Sequence, residues 1–226
     1  MKQEIFITAD GSTSIHLPEL QEQYHSKNGA IQEAYHVFIK HGLDCFKDTA
    51  TINILEIGLG TGLNCFITYL ESENRNLKVN YVGVEAFPVC ETEIKQLNFI
   101  TELEAQKQAN YFAKIHRCSW NKKTLINANF KLTKRRQKFE NITDKNQYNL
   151  IYFDAFGARV QPELWTEKIF QKMYDALKVT GILVTYSAKG SVRRAMQAVG
   201  FVVERLPGPK GKREMLRAIK KETTMN

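Results

Sequence analysis

Three carboxylates and a run of glycines are the parts of this 226-residue chain best suited to chemistry. Glu56-Ile57-Gly58-Leu59-Gly60-Thr61-Gly62 puts an acid two residues ahead of three alternating glycines. Glycines permit a tight turn and let a ligand touch bare backbone. A dinucleotide-binding turn would read G-x-G-x-x-G/A, but Leu63 stands where that pattern closes. A carboxylate at Glu56 opposes a pyrophosphate and suits a ligand carrying an ammonium or sulfonium cation. Glu85 closes the run YVGVE, 27 residues after Gly58, where an acid can bind both ribose hydroxyls. Asp154 closes YNLIYFD. A carboxylate there can hold an amine by hydrogen bonds and accept the proton it loses. Phe156 either stacks on a flat ring or packs.

The elements that must position these groups follow from periodicity. Residues 4–17 predict two short strands around an Asp10-Gly11 turn, and 29–43 a helix. TINILEI is an apolar strand that runs through the glycines into a helix. KVNYVGVEA is a second buried strand, and FPVCETEIKQLNFI opens a helix with Pro88 in its first turn. Residues 101–120 read as mostly helical, and NFKLTKRRQKFENI as strand and turn. YNLIYFDAFG is a further buried strand. ELWTEKIFQKMYDALKVTG predicts a helix with Gly181 just past its end. A strand (GILVTYSAKG), a short helix (SVRRAMQAVG) and a hairpin around Pro207-Gly208-Pro209 close the chain. Buried strands alternating with helices predict an α/β fold: a doubly wound, mostly parallel sheet with an antiparallel edge strand. The reading is a single domain over 1–226. Residues 1–50 form a short hairpin-and-helix extension, and 51–226 form the core. Gly58, Glu85 and Asp154 then share the carboxyl edge of the sheet, where such folds bind ligands.

Composition narrows the partners. Apolar residues make up 43% and charged residues 25%, which excludes fibrous and fully disordered classes. The net charge is +8 and unevenly spread. Segments 131–138, 187–194 and 205–221 hold 15 of the 32 basic residues and one of the 24 acids, so +14 sits there against −6 elsewhere. A basic surface on a mildly acidic body suggests a polyanion, nucleic acid first. Cys45, Cys65, Cys90 and Cys118 form no CxxC pair and read mostly as buried apolar residues in a reducing compartment. The five histidines have no metal spacing. There is no signal-like N-terminus and no membrane-length apolar run, so a cytoplasmic location is expected.

The Glu56 turn together with Glu85 resembles the first motifs of class I S-adenosylmethionine-dependent methyltransferases. A longer combination is more specific: Tyr24-His25-Ser26-Lys27-Asn28-Gly29, then Glu33, Tyr35 and Phe38, EIGLGTGLN, YFDAFGARVQPELWT over 152–166, and PGPKGKREM over 207–215. It resembles the methyltransferase domain of bacterial tRNA 5-methylaminomethyl-2-thiouridine modifying enzymes (MnmC/MnmD-like) across nearly the whole chain. The resemblance implies a Rossmann-like fold with S-adenosyl-L-methionine as cofactor. It implies N-methylation of a 5-aminomethyl group on uridine, often 2-thiolated, at wobble position 34 in the tRNA anticodon stem-loop. Many members carry a fused flavin-dependent oxidase that prepares the amine. At 226 residues no such domain is expected here, so a separate enzyme would supply the substrate. Carried over, Glu56, Gly58, Gly60 and Gly62 would line the cofactor, Glu85 would hold its ribose, and Asp154 would sit by the amine. Tyr24, Ser26 and Glu33 would close over cofactor or substrate. Phe156, Lys189, Lys210, Lys212 and Arg213 would meet the base and the tRNA backbone.

Two departures stand out. Gly157-Ala158 replaces the family's frequent Ala-Pro, and the basic KRRQKFEN stretch stands where members often carry an acid for the adenine amine. Two other readings remain open at this point. One is a methyl- or aminopropyl-transferase of the same fold acting on a small amine, which needs no basic platform. The other is a catalytically idle RNA-binding protein, which needs neither Glu85 nor Asp154.

Overall fold

The computed structural model describes residues 3–222. The expected hairpin is formed by β1 (Glu4–Ile7) and β2 (Thr13–Leu17), antiparallel, with Ile7 opposite Thr13. Asp10 shapes its turn by accepting bonds from the Thr8 and Ser12 hydroxyls. A short β3 (Glu22–Gln23) pairs with β2, and α1 (Ala30–Ala34) continues as a π-helical stretch to Lys40. Ile15 and Leu17 of β2 share an apolar cluster with Phe66 and Tyr69, so this segment packs onto the core.

The main sheet comprises β4 (Thr51–Ile57), β5 (Lys78–Glu85), β6 (Lys123–Leu125), β7 (Phe130–Arg136), β8 (Tyr148–Phe153), β9 (Leu177–Thr185), β10 (Phe201–Pro207) and β11 (Glu214–Lys220). Their spatial order is β10-β11-β9-β8-β4-β5-β7-β6, with β7, β5, β4, β8 and β9 parallel. β11 runs antiparallel between β9 and β10, and β6 runs antiparallel outside β7. The helices are α2 (Leu63–Asn74), α3 (Glu91–Ile94), α4 (Phe99–Glu102), α5 (Ala109–Arg117), α6 (Glu167–Ala176) and α7 (Gly190–Ala198). None of the described helices is long and apolar enough to cross a membrane.

β4 is the switch point. The chain winds outward through β5 to β7, then returns to β8 on β4's other side. The carboxyl end of β4 is therefore flanked by those of β5 and β8, which opens a crevice there. Alternation along β4 assigns its faces. Ile52 and Ile54 enter the cluster with Phe66, Tyr81 and Tyr152, whereas Leu55 and Ile57 enter the cluster with Phe153, Phe170 and Met173 on the opposite face.

Three expectations are corrected. α6 ends at Ala176 and β9 begins at Leu177, so Gly181 lies inside a strand. Leu177 turns extended at φ −73° and ψ 143°, and the buried Lys220 ammonium donates to the carbonyls of Tyr174 and Leu177, both at 2.8 Å, at this end of the helix. The pairing of β8 with β9 shifts register between Tyr148 and Leu150, with Thr180 at φ 63°. Pro88 precedes its helix and is not part of it: α3 spans Glu91–Ile94, because Cys90 at its N-cap is still extended, with φ −80° and ψ 163°. Among the cysteines Cys65 is buried, while Cys45 and Cys90 are exposed.

Candidate active site

The glycine turn is forced into shape by its neighbours. Gly58 has φ 88°, and a Cβ on it would stand 2.6 Å from the Asp154 carbonyl oxygen. Gly60 has φ 48°, and a Cβ there would press on the Tyr24 ring at 3.1 Å. Both positions therefore need glycine. The Gly58 and Leu59 amides donate to the Val84 carbonyl at 3.0 and 3.1 Å, tying the turn to the end of β5.

Above the turn lies a cavity of about 440 Å³. Glu85 is on its wall, one oxygen accepting from the Gly60 amide at 3.1 Å and the other from the Phe87 amide at 2.9 Å. Burial pushes its carboxyl up, opposed by these two bonds and one from Ala86. Asp154 stands opposite, its amide bonded to the Ile57 carbonyl at 2.9 Å. Its Oδ2 accepts from Asn64 Nδ2 at 2.8 Å. Burial is the main reason its carboxyl is pushed up to about 7; the Glu33 carboxylate adds, while the Asn64 bond and the Lys212 charge oppose.

The N-terminal segment supplies one side of the cavity. Tyr24 meets Phe156 edge-on, ring centres 5.0 Å apart. His25 bridges two elements: Nδ1 is 3.0 Å from the Ser14 hydroxyl of β2, and Nε2 is 3.1 Å from the Thr61 hydroxyl of the glycine turn. Burial pushes its imidazole down to about 4, so it is neutral around pH 7. Phe87, 74% exposed, stands at the rim. Lys138, Phe139 and Glu140 follow β7 and form another part of the lining.

The predicted residues thus divide. Tyr24, Gly58, Gly60, Glu85, Asp154 and Phe156 are brought together around the cavity. Glu56 is not: strand alternation turns it, fully buried, towards the α2 side beneath the turn, where burial strongly favours its neutral form. Gly62 caps α2 and faces His116. Ser26, Glu33 and Lys212 form their own cluster, with the Ser26 amide donating to Glu33 at 3.0 Å and the Lys212 ammonium bonded to Glu33; the charges of Glu33 and Lys212 reach Asp154. Lys189, Lys210 and Arg213 are exposed and outside the cavity. Asn64, Thr61 and His25 were not assigned roles from sequence. Their signal is position: Thr61 and Asn64 lie in GTGLN, and His25 lies between Tyr24 and Ser26.

The lining tests what ligand fits. It holds four acids, Glu85, Glu140, Asp154 and Glu163, against Lys138 as its one lysine or arginine, beside apolar Leu59, Ala86, Phe139, Leu164 and Ile169. Such a site disfavours a pyrophosphate and suits a ligand with a cation, a diol and a flat ring. Residues 98–221 match a family model described as S-adenosyl-L-methionine-dependent methyltransferase, over more than half of the chain. The chain belongs to this methyltransferase family. Its cofactor is S-adenosyl-L-methionine, which the acidic, partly apolar cavity fits.

The methyltransferase is also similar to proteins named tRNA 5-methylaminomethyl-2-thiouridine biosynthesis bifunctional protein MnmC. It is 31% identical over 218 residues to that of Leptospira borgpetersenii, covering 85% of this chain and 31% of the relative. It is 26% identical over 210 residues to that of Hydrogenovibrio crunogenus, covering 85% and 30%. The chain therefore spans about a third of the length of these relatives. Among solved structures, MnmC2 from Aquifex aeolicus superimposes with a TM-score of 0.79 at 24% identity, over 98% of this chain and 71% of that one. Spermidine synthase from Thermotoga maritima gives 0.60 at 14%, over 98% and 69%. Both share the fold.

Proposed function

We propose that this methyltransferase N-methylates the primary amine of a 5-aminomethyl group on uridine, with or without 2-thiolation, at wobble position 34 of tRNA. The observation that carries the reading is Asp154: a carboxylate at the carboxyl end of β8, lining the cavity, oriented by Asn64 and pushed up by burial to about 7. The names of the MnmC relatives support the substrate class, and the exposed Lys189, Lys210 and Arg213 offer charges for RNA phosphates.

When bound, S-adenosyl-L-methionine supplies a methyl group activated by its sulfonium. Glu85 is placed to bind the ribose hydroxyls. Glu140, the one acid within the basic KRRQKFEN stretch, lines the cavity after β7 and offers an acceptor for the adenine amine. Asp154 would accept hydrogen bonds from the substrate nitrogen and take its proton, leaving the amine neutral, with its lone pair free for the methyl group that the bound cofactor would supply. A carboxyl near 7 is matched to that exchange at neutral pH. Holding the nitrogen in line is worth roughly 7–11 kcal/mol of the barrier. Phe156 and Tyr24 wall the site and exclude water.

On this reading a separate activity supplies the aminomethyl group, and a tRNA substrate fits a cytoplasmic location. The test is methyl transfer to tRNA from cells lacking the gene, followed by nucleoside mass spectrometry. A methyl gained on 5-aminomethyl-uridines supports the assignment. TRNA left unmodified while the enzyme binds the cofactor normally would sink it.

A further inference from the structure

The loop between β10 and β11 carries three basic residues that do not face the same way. Lys210 and Arg213 are exposed. Lys212 turns inward, its ammonium bonded to Glu33 of α1 and 4.0 Å from the centre of the Tyr186 ring. The Tyr186 hydroxyl donates to the Ala155 carbonyl at 2.8 Å, fixing the ring behind the wall that carries Asp154. A carboxylate beside an aromatic face is a seat for a primary ammonium.

This seat is electrostatically tied to the reacting centre. The Glu33 carboxylate pushes the Asp154 carboxyl up and the Lys212 ammonium pulls it down, while the Tyr186 ring over which Lys212 sits is hydrogen-bonded to Ala155, the next residue after Asp154. Two neighbouring carboxylates favour a cation between them. The seated cation is also replaceable. The Lys212 side chain is 32% exposed, its partner 12%. A partly exposed ion pair is worth little net free energy, and the four-carbon stem turns freely.

Building on the wobble-amine reading, we propose that Lys212 holds the place of the substrate's own ammonium. The aminomethyl ammonium enters beside Glu33, Tyr186 and Asp154, and Lys212 swings out to join Lys210 and Arg213 on the RNA backbone. Glu33 is then a substrate residue and not a cofactor residue. Amine entry is coupled to phosphate contact: a free amine must displace Lys212 unaided, whereas an amine on RNA brings the phosphates that draw Lys212 away. The device selects against small soluble amines.

The test uses the full chain with S-adenosyl-L-methionine and two substrates, 5-aminomethyluridine as the free nucleoside and an anticodon stem-loop carrying it. Lys212→Met keeps the stem and removes the charge. Its kcat/KM for the nucleoside should rise about tenfold, because the competing cation is gone, and that for the stem-loop should fall. An unchanged ratio between the two overturns the proposal. Glu33→Gln should raise the nucleoside KM at unchanged cofactor Kd; a loss falling on cofactor affinity instead overturns it. Butylammonium chloride is a probe that needs no turnover. Against equal sodium chloride it should raise the Tm of Lys212→Met, and it should not raise that of the Glu33→Gln/Lys212→Met double variant. Equal shifts in both, or none in either, sink the seat. If wild-type enzyme methylates neither substrate, the wobble-amine reading fails and the butylammonium result decides the seat alone.

Discussion

Asn64 Nδ2 donates to Asp154 Oδ2 at 2.8 Å, joining the first turn of α2 to the end of β8 across 90 residues of sequence. The bond favours the charged carboxylate, so it works against the burial that pushes Asp154 up to about 7. Asn64→Leu removes it. The carboxyl should then titrate higher, and the acidic limb of the kcat–pH profile should move to higher pH. A hydrogen bond to a charged group is worth about 1.5–3 kcal/mol, so kcat at pH 7 should drop by roughly ten- to a hundredfold. An acidic limb that stays in place in a variant with normal cofactor affinity would mean that Asn64 does not position Asp154.

Asp154→Asn separates catalysis from stability. The amide keeps the shape and loses the proton acceptor, so methyl transfer should fall by roughly 10²–10⁴-fold while cofactor Kd stays within a few-fold. Asp154's folded carboxyl lies above its unfolded value of 3.8. The folded state therefore holds its proton longer, and the charged group destabilises the fold increasingly as pH rises from about 4 to about 7. The variant should be more stable than wild type at pH 8, with little difference at pH 3.5. Thermal unfolding at the two pH values checks this, and equal shifts at both would contradict the linkage.

Why these groups were legible from sequence, and their supports were not, is a matter of distance along the chain. Gly58, Glu85 and Asp154 each follow a run of apolar β-formers, and a strand end in a doubly wound sheet has one place to go. Glu56 was misplaced because the same logic stops one residue short. Its strand parity with Ile52 and Ile54 buries it beneath the turn, and reading that requires knowing which face α2 covers. Lys212 and Glu33 are 179 residues apart, and nothing local distinguishes Lys212 from its outward-facing neighbours. The end of α6 was missed for a similar reason: the ammonium that satisfies its last carbonyls comes from β11.

His25 ties β2 to the glycine turn through Ser14 and Thr61. His25→Leu should loosen that turn and raise the Kd for S-adenosyl-L-methionine by about tenfold, the worth of one or two neutral hydrogen bonds. Because burial holds the imidazole at about 4, below its ordinary 6.5, the folded state resists protonation. Stability that His25 contributes above pH 6.5 is lost as pH falls towards 4. The leucine variant should show a flatter Tm decline over that interval. An identical acid decline would show that His25 is not buried in its neutral form.

Lys189 after β9 and Lys210 and Arg213 between β10 and β11 are exposed. Replacing all three with Ala should weaken tRNA binding and lower the slope of log K against log salt by about two to three, near one per lost phosphate contact. Cofactor Kd should not move. Binding isotherms across a salt series give the slope directly, and an unaltered slope would place the RNA on another surface.

Lys220 belongs to the same basic segment but should behave differently. Its ammonium is buried and donates to the Tyr174 and Leu177 carbonyls and, at 3.0 Å, to Asn146. Burial pushes it down from its ordinary value, but three acceptors hold the charge in place. Lys220→Met keeps the stem and strands those acceptors at the end of α6, which should cost about 1–3 kcal/mol of folding free energy. Urea unfolding measures that loss. The tRNA salt slope of this variant should equal that of wild type, and a slope reduced by about one would instead place Lys220 on a phosphate.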